Sequence, residues 1–134
     1  MAAWLGIFVQ VNRGAFAAIT NDNNQILLVR SLTHGKLVSH WSLPGGVVEE
    51  NETLENGAMR EVLEETGVYC EIGRLLVTVE NIESEILIHI FKATYVHGDL
   101  KVQADEIVEA GWFSIAHAHT LPLAFNTKEV LTSL

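Results

Sequence analysis

The chain has 134 residues, 49% of them hydrophobic, and a formal net charge of −9. That length suits a single domain over residues 1–134 with a buried core, and a positive mean hydropathy excludes an extended disordered chain. The acidic balance opposes binding to nucleic-acid polymers, whose phosphates repel it, and no apolar run reaches the roughly 20 residues of a membrane-spanning helix.

Residues 4–11 are apolar with partial alternation and read as an edge strand. Residues 14–20 form a second strand pattern, followed by Asn21-Asp22-Asn23-Asn24, a strong turn signal. Residues 25–30 return as a strand, so the pair reads as a hairpin. Residues 31–40 are polar, contain Gly35 and read as a loop. Trp41-Ser42-Leu43-Pro44-Gly45-Gly46 is a strand end running into glycines, continued by Val47 and Val48. A helix is expected from Thr53 to Thr66. Acidic, cap-like residues Glu52, Thr53 and Glu55 start it, and Gly67 ends it as a left-handed cap.

Residues 68–80 alternate through Val68, Cys70 and Ile72, then Leu75, Val77 and Val79, as a strand does. A polar turn at 81–85 leads into an alternating stretch at 86–96, where a change of phase suggests a bulge near Phe91-Lys92. His97-Gly98-Asp99 is a turn, 106–113 ends in a strand, 114–120 is a short helical turn, and Asn126 caps a final helix through Leu131. Strands outnumber helices in mixed order, which argues an α+β fold or a layered α/β/α sandwich. The single Cys70 has no internal disulfide partner and reads as a buried structural thiol. The N-terminal residues lack the basic region of a secretory signal, and the expected location is the cytoplasm.

The central helix carries the chemistry. At about 100° per residue, Ala58, Met59, Val62, Leu63 and Thr66 fall on one side. Glu61, Glu64 and Glu65 fall on the other at i, i+3 and i+4. Like charges so placed repel, and a hard divalent cation such as Mg²⁺ is the natural counterweight because it takes carboxylate oxygens. A solvated acidic surface face is the alternative.

The surroundings of these residues narrow the choice. Gly46, five residues, Glu52, seven residues and then Arg60-Glu61-Val62-Leu63-Glu64-Glu65-Thr66-Gly67-Val68 resembles the Nudix box at every specified position. Leu43-Pro44-Gly45-Gly46 before it, and Glu106 followed by Trp112-Phe113 near the end, also look like that family. The resemblance implies a Nudix-like α/β/α sandwich with a mixed β-sheet and a hydrolase of pyrophosphate bonds in nucleoside diphosphate derivatives. It carries over Glu61, Glu64 and Glu65 as metal ligands for Mg²⁺, or Mn²⁺ in its place, with one of them as general base. Gly46 carries over as a backbone-carbonyl ligand, and Glu52 with Arg60 as a salt bridge fixing the loop to the helix. Glu106 matches the offset of a further acidic residue reaching the metal and catalytic centre, with Asp105 and Glu109 as alternatives and a solvated loop as another.

Trp41 is a candidate for stacking on a base, with a core or rim aromatic as the alternative. Arg30 and Lys36 are candidates for phosphate contact, with a solvated surface charge as the favoured reading of Lys36. The six histidines show no metal-ligand spacing beyond His117-x-His119, and His89 reads as a structural residue within a strand. Gly57 within the helix costs about 1 kcal/mol relative to Ala, which close approach of a neighbouring loop would explain. The subclass marks of a proline or tyrosine shortly beyond the box are missing in Asn81-Ile82-Glu83-Ser84-Glu85. Elimination leaves a (deoxy)nucleoside triphosphate as the leading small-molecule substrate and a nucleotide sugar or dinucleotide as alternatives. A non-catalytic, nucleotide-sensing or partner-binding domain is the alternative of another class. A homodimer is compatible with the sequence.

Overall fold

The computed structural model of the protein describes residues 12–33, 36–37, 40–102, 107–124 and 126–134, with the backbone alone for 32–33, 36–37 and 108. In chain order the elements are β1 (Asn12–Thr20), β2 (Gln25–Thr33), β3 (Lys36–Leu37), β4 (Gly45–Val47), α1 (Leu54–Thr66), β5 (Tyr69–Asn81), β6 (Ile86–His97), β7 (Ile107–Ser114), α2 (Ile115–Ala118) and α3 (Thr127–Ser133). The expected strand at residues 4–11 lies outside the described residues, as do Asp105 and Glu106.

β1 is the centre of a mixed sheet ordered β3-β2-β1-β6-β5, with β4 also on β1 and β7 on β2. The β1–β2 pair is the expected hairpin. Its turn is built by Asn21, whose Oδ1 accepts from the backbone N–H groups of Asn23 and Gln25 at 3.0 Å. β1 runs parallel to β6 from Asn12↔Ile86 to Thr20↔Thr94, while β4 pairs antiparallel with it at Gly14↔Val47 and Phe16↔Gly45.

The period-two alternation of β1 serves two layers. Ala17 and Ile19 join Leu27, Val62 and Val68 in one core cluster, with Ala15 against Ala58 and Phe91 in its neighbour. Ala18 joins Ile26, Leu28, Trp41, Ile90 and Leu131 on the other face. Helix α1 therefore covers one face and α2 with α3 the other, an α/β/α sandwich as expected. Small alanines under α1 let the helix come close. Burying Val62 completely contributes about 1.5–3 kcal/mol. None of the described helices is long and apolar enough to cross a membrane.

Several sequence expectations are corrected. Residues 31–33 are not loop but continue β2, and β3 follows at 36–37, where Leu32↔Leu37 and Thr33↔Lys36 pair. Backbone pairing there outweighs the polar composition. The irregularity expected in β6 near Phe91-Lys92 lies in the facing strand. The β1–β6 ladder passes through Phe91 and Lys92 without interruption, while β5 shifts register at Ile72/Leu75 and Leu75/Val77. Asn126 does precede α3, yet its side chain makes no capping hydrogen bond. His89 is buried and its Nδ1 lies 3.2 Å from the Gly14 carbonyl oxygen. Cys70 is buried, and desolvation pushes its thiol up to about 11.

Gly57 is buried, and a Cβ there would stand 2.9 Å from Val48 Cγ2 and 3.3 Å from Glu52 Oε1. The loop before α1 thus presses on the helix at this position, as one reading of the sequence had it. Gly57→Ala should destabilise the wild type although alanine is worth about 1 kcal/mol in helix propensity. In a Val48→Ala background the same change should stabilise. Denaturant unfolding of the four proteins checks this, and a stabilising Gly57→Ala in both backgrounds would overturn it.

Candidate active site

Helix α1 starts at Thr53, whose hydroxyl accepts from Asn56 N–H at 3.1 Å, and ends at Gly67 with φ 77°. Between these caps the carboxylates stand on the face away from the buried Ala58, Val62 and Thr66. Arg60 lies among them. Its Nε donates to Glu52 Oε2 at 2.7 Å and its Nη2 to Glu52 Oε1 at 2.9 Å, a bidentate pair of the stronger, charge-assisted kind. Nη1 reaches Glu61 Oε1 and Glu64 Oε2, each at 3.1 Å, and Nη2 donates to the Val47 carbonyl at 3.2 Å. The Glu64 arm is on a side chain 56% exposed and contributes little.

The loop is fastened from its other side as well. Glu49 N–H donates to Glu52 Oε1 at 2.9 Å. Arg13 Nη2 donates to the carbonyls of Glu49 and Glu52 at 3.2 Å, and Val48 N–H donates to Arg13 C=O at 2.8 Å. Arg13 is not marked in the sequence, because nothing local to β1 singles out a residue that bonds to a loop 36 positions away.

Glu61 and Glu65 meet the glycine turn. A Cβ on Gly46 would fall 2.6 Å from Glu61 Cδ, so only glycine lets that carboxylate lie against the chain. Glu65 Oε1 accepts from Gly45 N–H at 2.9 Å. All three helix carboxylates and the Gly46 backbone offer oxygen, the donor set that suits a hard divalent cation. Among the described residues, no three His, Cys, Asp or Glu side chains are gathered as a metal cage. Arg60 holds Glu61 and Glu64, and the Gly45 amide holds Glu65.

Beside Glu65 opens a cleft of about 500 Å³ on the sheet face opposite α1. Phe16, Leu43, Ile88 and Ile90 give it apolar walls, and Ser42, Asn81 and Asn126 give it neutral hydrogen-bonding groups. Glu65 is the charged group among the described residues lining it. Asn126 escaped the sequence reading as anything but a cap. No cue in the sequence marks it, because only the fold shows that its side chain makes no cap bond to α3.

Arg30 and Trp41 are not brought to this cleft. Trp41 is 8% exposed and belongs to the core, edge-on to Phe113 with ring centroids 5.0 Å apart. Arg30 lies over the Trp41 ring at 5.5 Å and pairs with Glu109 at 3.0 Å. The core-aromatic alternative accounts for Trp41, and burial of its ring is the physical reason. The Lys36 side chain and Glu106 lie outside what is described.

The Arg60 hydrogen bond, followed by that of the Glu49 N–H, holds the Glu52 carboxyl at about 2, well below the ordinary 4.5. Hydrogen bonding to Glu52 likewise raises Arg60 above the usual guanidinium value. A carboxyl depressed by folding adds stability that is complete above about 4.5 and is lost as the pH falls toward about 2. The melting-temperature gap between wild type and Glu52→Gln should therefore be full near neutrality and close across that acid window. A gap that does not vary with pH would show that the pair adds nothing through charge.

The family profile described as NUDIX domain matches residues 11–134. A Bacillus subtilis (strain 168) protein named putative 8-oxo-dGTP diphosphatase is 32% identical over 102 residues, covering 76% of this chain and 66% of its own. The NAD-capped RNA hydrolase NudC of Shigella dysenteriae serotype 1 (strain Sd197) is 32% identical over 116 residues, 87% of this chain and 44% of its own. The chain thus spans less than two thirds of the length of these curated relatives. Among solved structures, the MutT NUDIX hydrolase from Burkholderia pseudomallei superposes with a TM-score of 0.78 at 29% identity, covering 94% of this chain and 99% of that one. With the profile spanning nearly all of its length, this chain belongs to the NUDIX domain family.

Proposed function

We propose that the domain is a metal-dependent pyrophosphohydrolase acting on nucleoside diphosphate derivatives, with (deoxy)nucleoside triphosphates as the leading substrates. The observation that carries this reading is the position of Glu65, which belongs to the acidic face of α1 and also lines the neutral cleft. A nucleoside in the cleft has its phosphates beside the carboxylates. Apolar walls with amide and hydroxyl groups suit an uncharged heterocycle, and the described lining, which holds no cationic side chain, does not favour a second anionic group within the cleft.

Glu61, Glu64 and Glu65, with the Gly46 carbonyl, are the residues that would hold Mg²⁺ or Mn²⁺, and Glu106 is a further ligand by resemblance. Bound there, the cation supplies neutralisation of phosphate charge and a more acidic water. The chain's own residues do the rest. Glu65 lines the cleft, so the carboxylates are within reach of a water approaching phosphorus, and one that the cation leaves free would accept its proton. Glu52 and Arg60 keep the Gly45-Gly46 turn against the helix, and the cleft walls orient the nucleoside so that the phosphate chain crosses the acidic face. The name of the Bacillus relative supports a purine triphosphate substrate.

The deciding experiment is phosphate release from nucleoside triphosphates, nucleotide sugars and dinucleotides, with and without Mg²⁺. Release from the triphosphates only with metal is expected, and no release from any of them would sink the enzyme reading in favour of a nucleotide-sensing domain. Millimolar Mg²⁺ or Mn²⁺ should also raise the melting temperature by linkage, because only the folded chain assembles the acidic face. A melt insensitive to either metal contradicts the ligand set.

Glu64→Gln and Glu65→Gln should each lower turnover at least about a hundredfold, about 2.7 kcal/mol in barrier. Their metal-free melting temperatures should stay level or rise, since like-charge repulsion on the helix is relieved. Near-wild-type turnover in both variants would remove this face from the chemistry.

A further inference from the structure

We propose that the nucleotide cleft continues past the base into a second subsite on the β5–β6 side. This subsite takes an apolar, neutral or cationic substituent carried on the far edge of the nucleobase. The inference rests on the proposed function for the orientation of the nucleotide.

The order of strands supplies the direction. Phe16 of β1 pairs with Gly45 of β4 on one side and with Ile90 of β6 on the other, and Ile88 of β6 pairs with Val79 of β5. The run is therefore β4-β1-β6-β5, three spacings of about 4.8 Å, or about 14 Å across. Glu65 joins this run at its β4 end through Gly45. A nucleotide with its phosphates at Glu65 lays its base over β1 and β6 and points the outer edge of that base toward β5.

A second hollow of about 250 Å³ begins there. It shares Asn81, Ile88, Ile90 and Asn126 with the main cleft, so the two are continuous. Val79 from β5 and Ile82 from the β5–β6 turn complete its apolar surface, and Ile82 is 79% exposed. Among the described residues Glu80 and Glu83 are its charged lining, which repels an anionic substituent and accepts a neutral or cationic one. The junction carries two amides. Asn126 makes no cap bond to α3, and Asn81 Oδ1 accepts from Ser84 N–H at a long 3.3 Å. The second half of a dinucleotide is joined through the pyrophosphate, on the other side of Glu65 from this hollow, so the hollow serves the base and not a second nucleotide.

The test compares AMP with N6-benzyl-AMP and GMP with O6-benzyl-GMP by isothermal titration, which needs no turnover. The corresponding triphosphates are then compared by kcat/KM with Mg²⁺. At least one benzylated monophosphate should bind about tenfold tighter than its parent, the return on burying part of an aromatic ring. Val79→Trp, which fills the hollow, and Ile82→Asp, which adds a third acid at an exposed turn, should each bring that ratio near unity. Equal or weaker binding of both benzylated compounds overturns the subsite, as does a preference that survives both variants. A preference without metal-dependent hydrolysis of any triphosphate would keep the subsite and reject the proposed reaction. Hydrolysis without the preference would do the reverse.

Discussion

The site depends on one ion pair, the two-point contact between Arg60 and Glu52. A guanidinium and a carboxylate joined by bonds of 2.7 and 2.9 Å fix both partners in plane, which a lysine in place of the arginine would not do. Glu52 closes the loop that begins at the Gly45-Gly46 turn, and Arg60 is one residue from Glu61. Holding these two residues together therefore holds the glycine turn against the carboxylate face. Arg13 adds a second fastening from β1 through two loop carbonyls, so the loop is tied to the helix and to the sheet.

The same arginine reconciles three carboxylates crowded within about a turn of helix. Arg60 supplies positive charge to Glu61 and Glu64, and the Gly45 amide supplies a hydrogen bond to Glu65. These contacts offset repulsion that would otherwise weaken α1. A domain built this way folds around its own counter-ion.

The sheet connects this chemistry to recognition. Alanines on β1 let α1 lie close on one face, while Phe16 on the same strand helps to line the cleft on the other. β4 joins the two. Its three residues pair with β1 and end near the helix, so the turn that carries Gly45 and Gly46 borders the acidic face and the cleft together.

The sequence by itself determined the parts governed by neighbours in the chain. The helix with its Thr53 and Gly67 caps, the Asn21 hairpin, the fixed spacing of Gly46, Glu52 and the three glutamates, and the buried alternation of β1 all follow from local periodicity and capping. Pairings between distant segments had to come from the tertiary structure. Polar residues after Arg30 look like loop until the 36–37 segment pairs with them, because a strand's hydrogen bonds do not depend on side-chain polarity. Trp41 looks like a stacking platform until Phe113 and Arg30 close over it. Asn126 looks like a cap until the sheet brings it beside Asn81 at the cleft. Each of these depends on contacts across tens of residues, and such contacts leave no periodic trace in the chain that makes them.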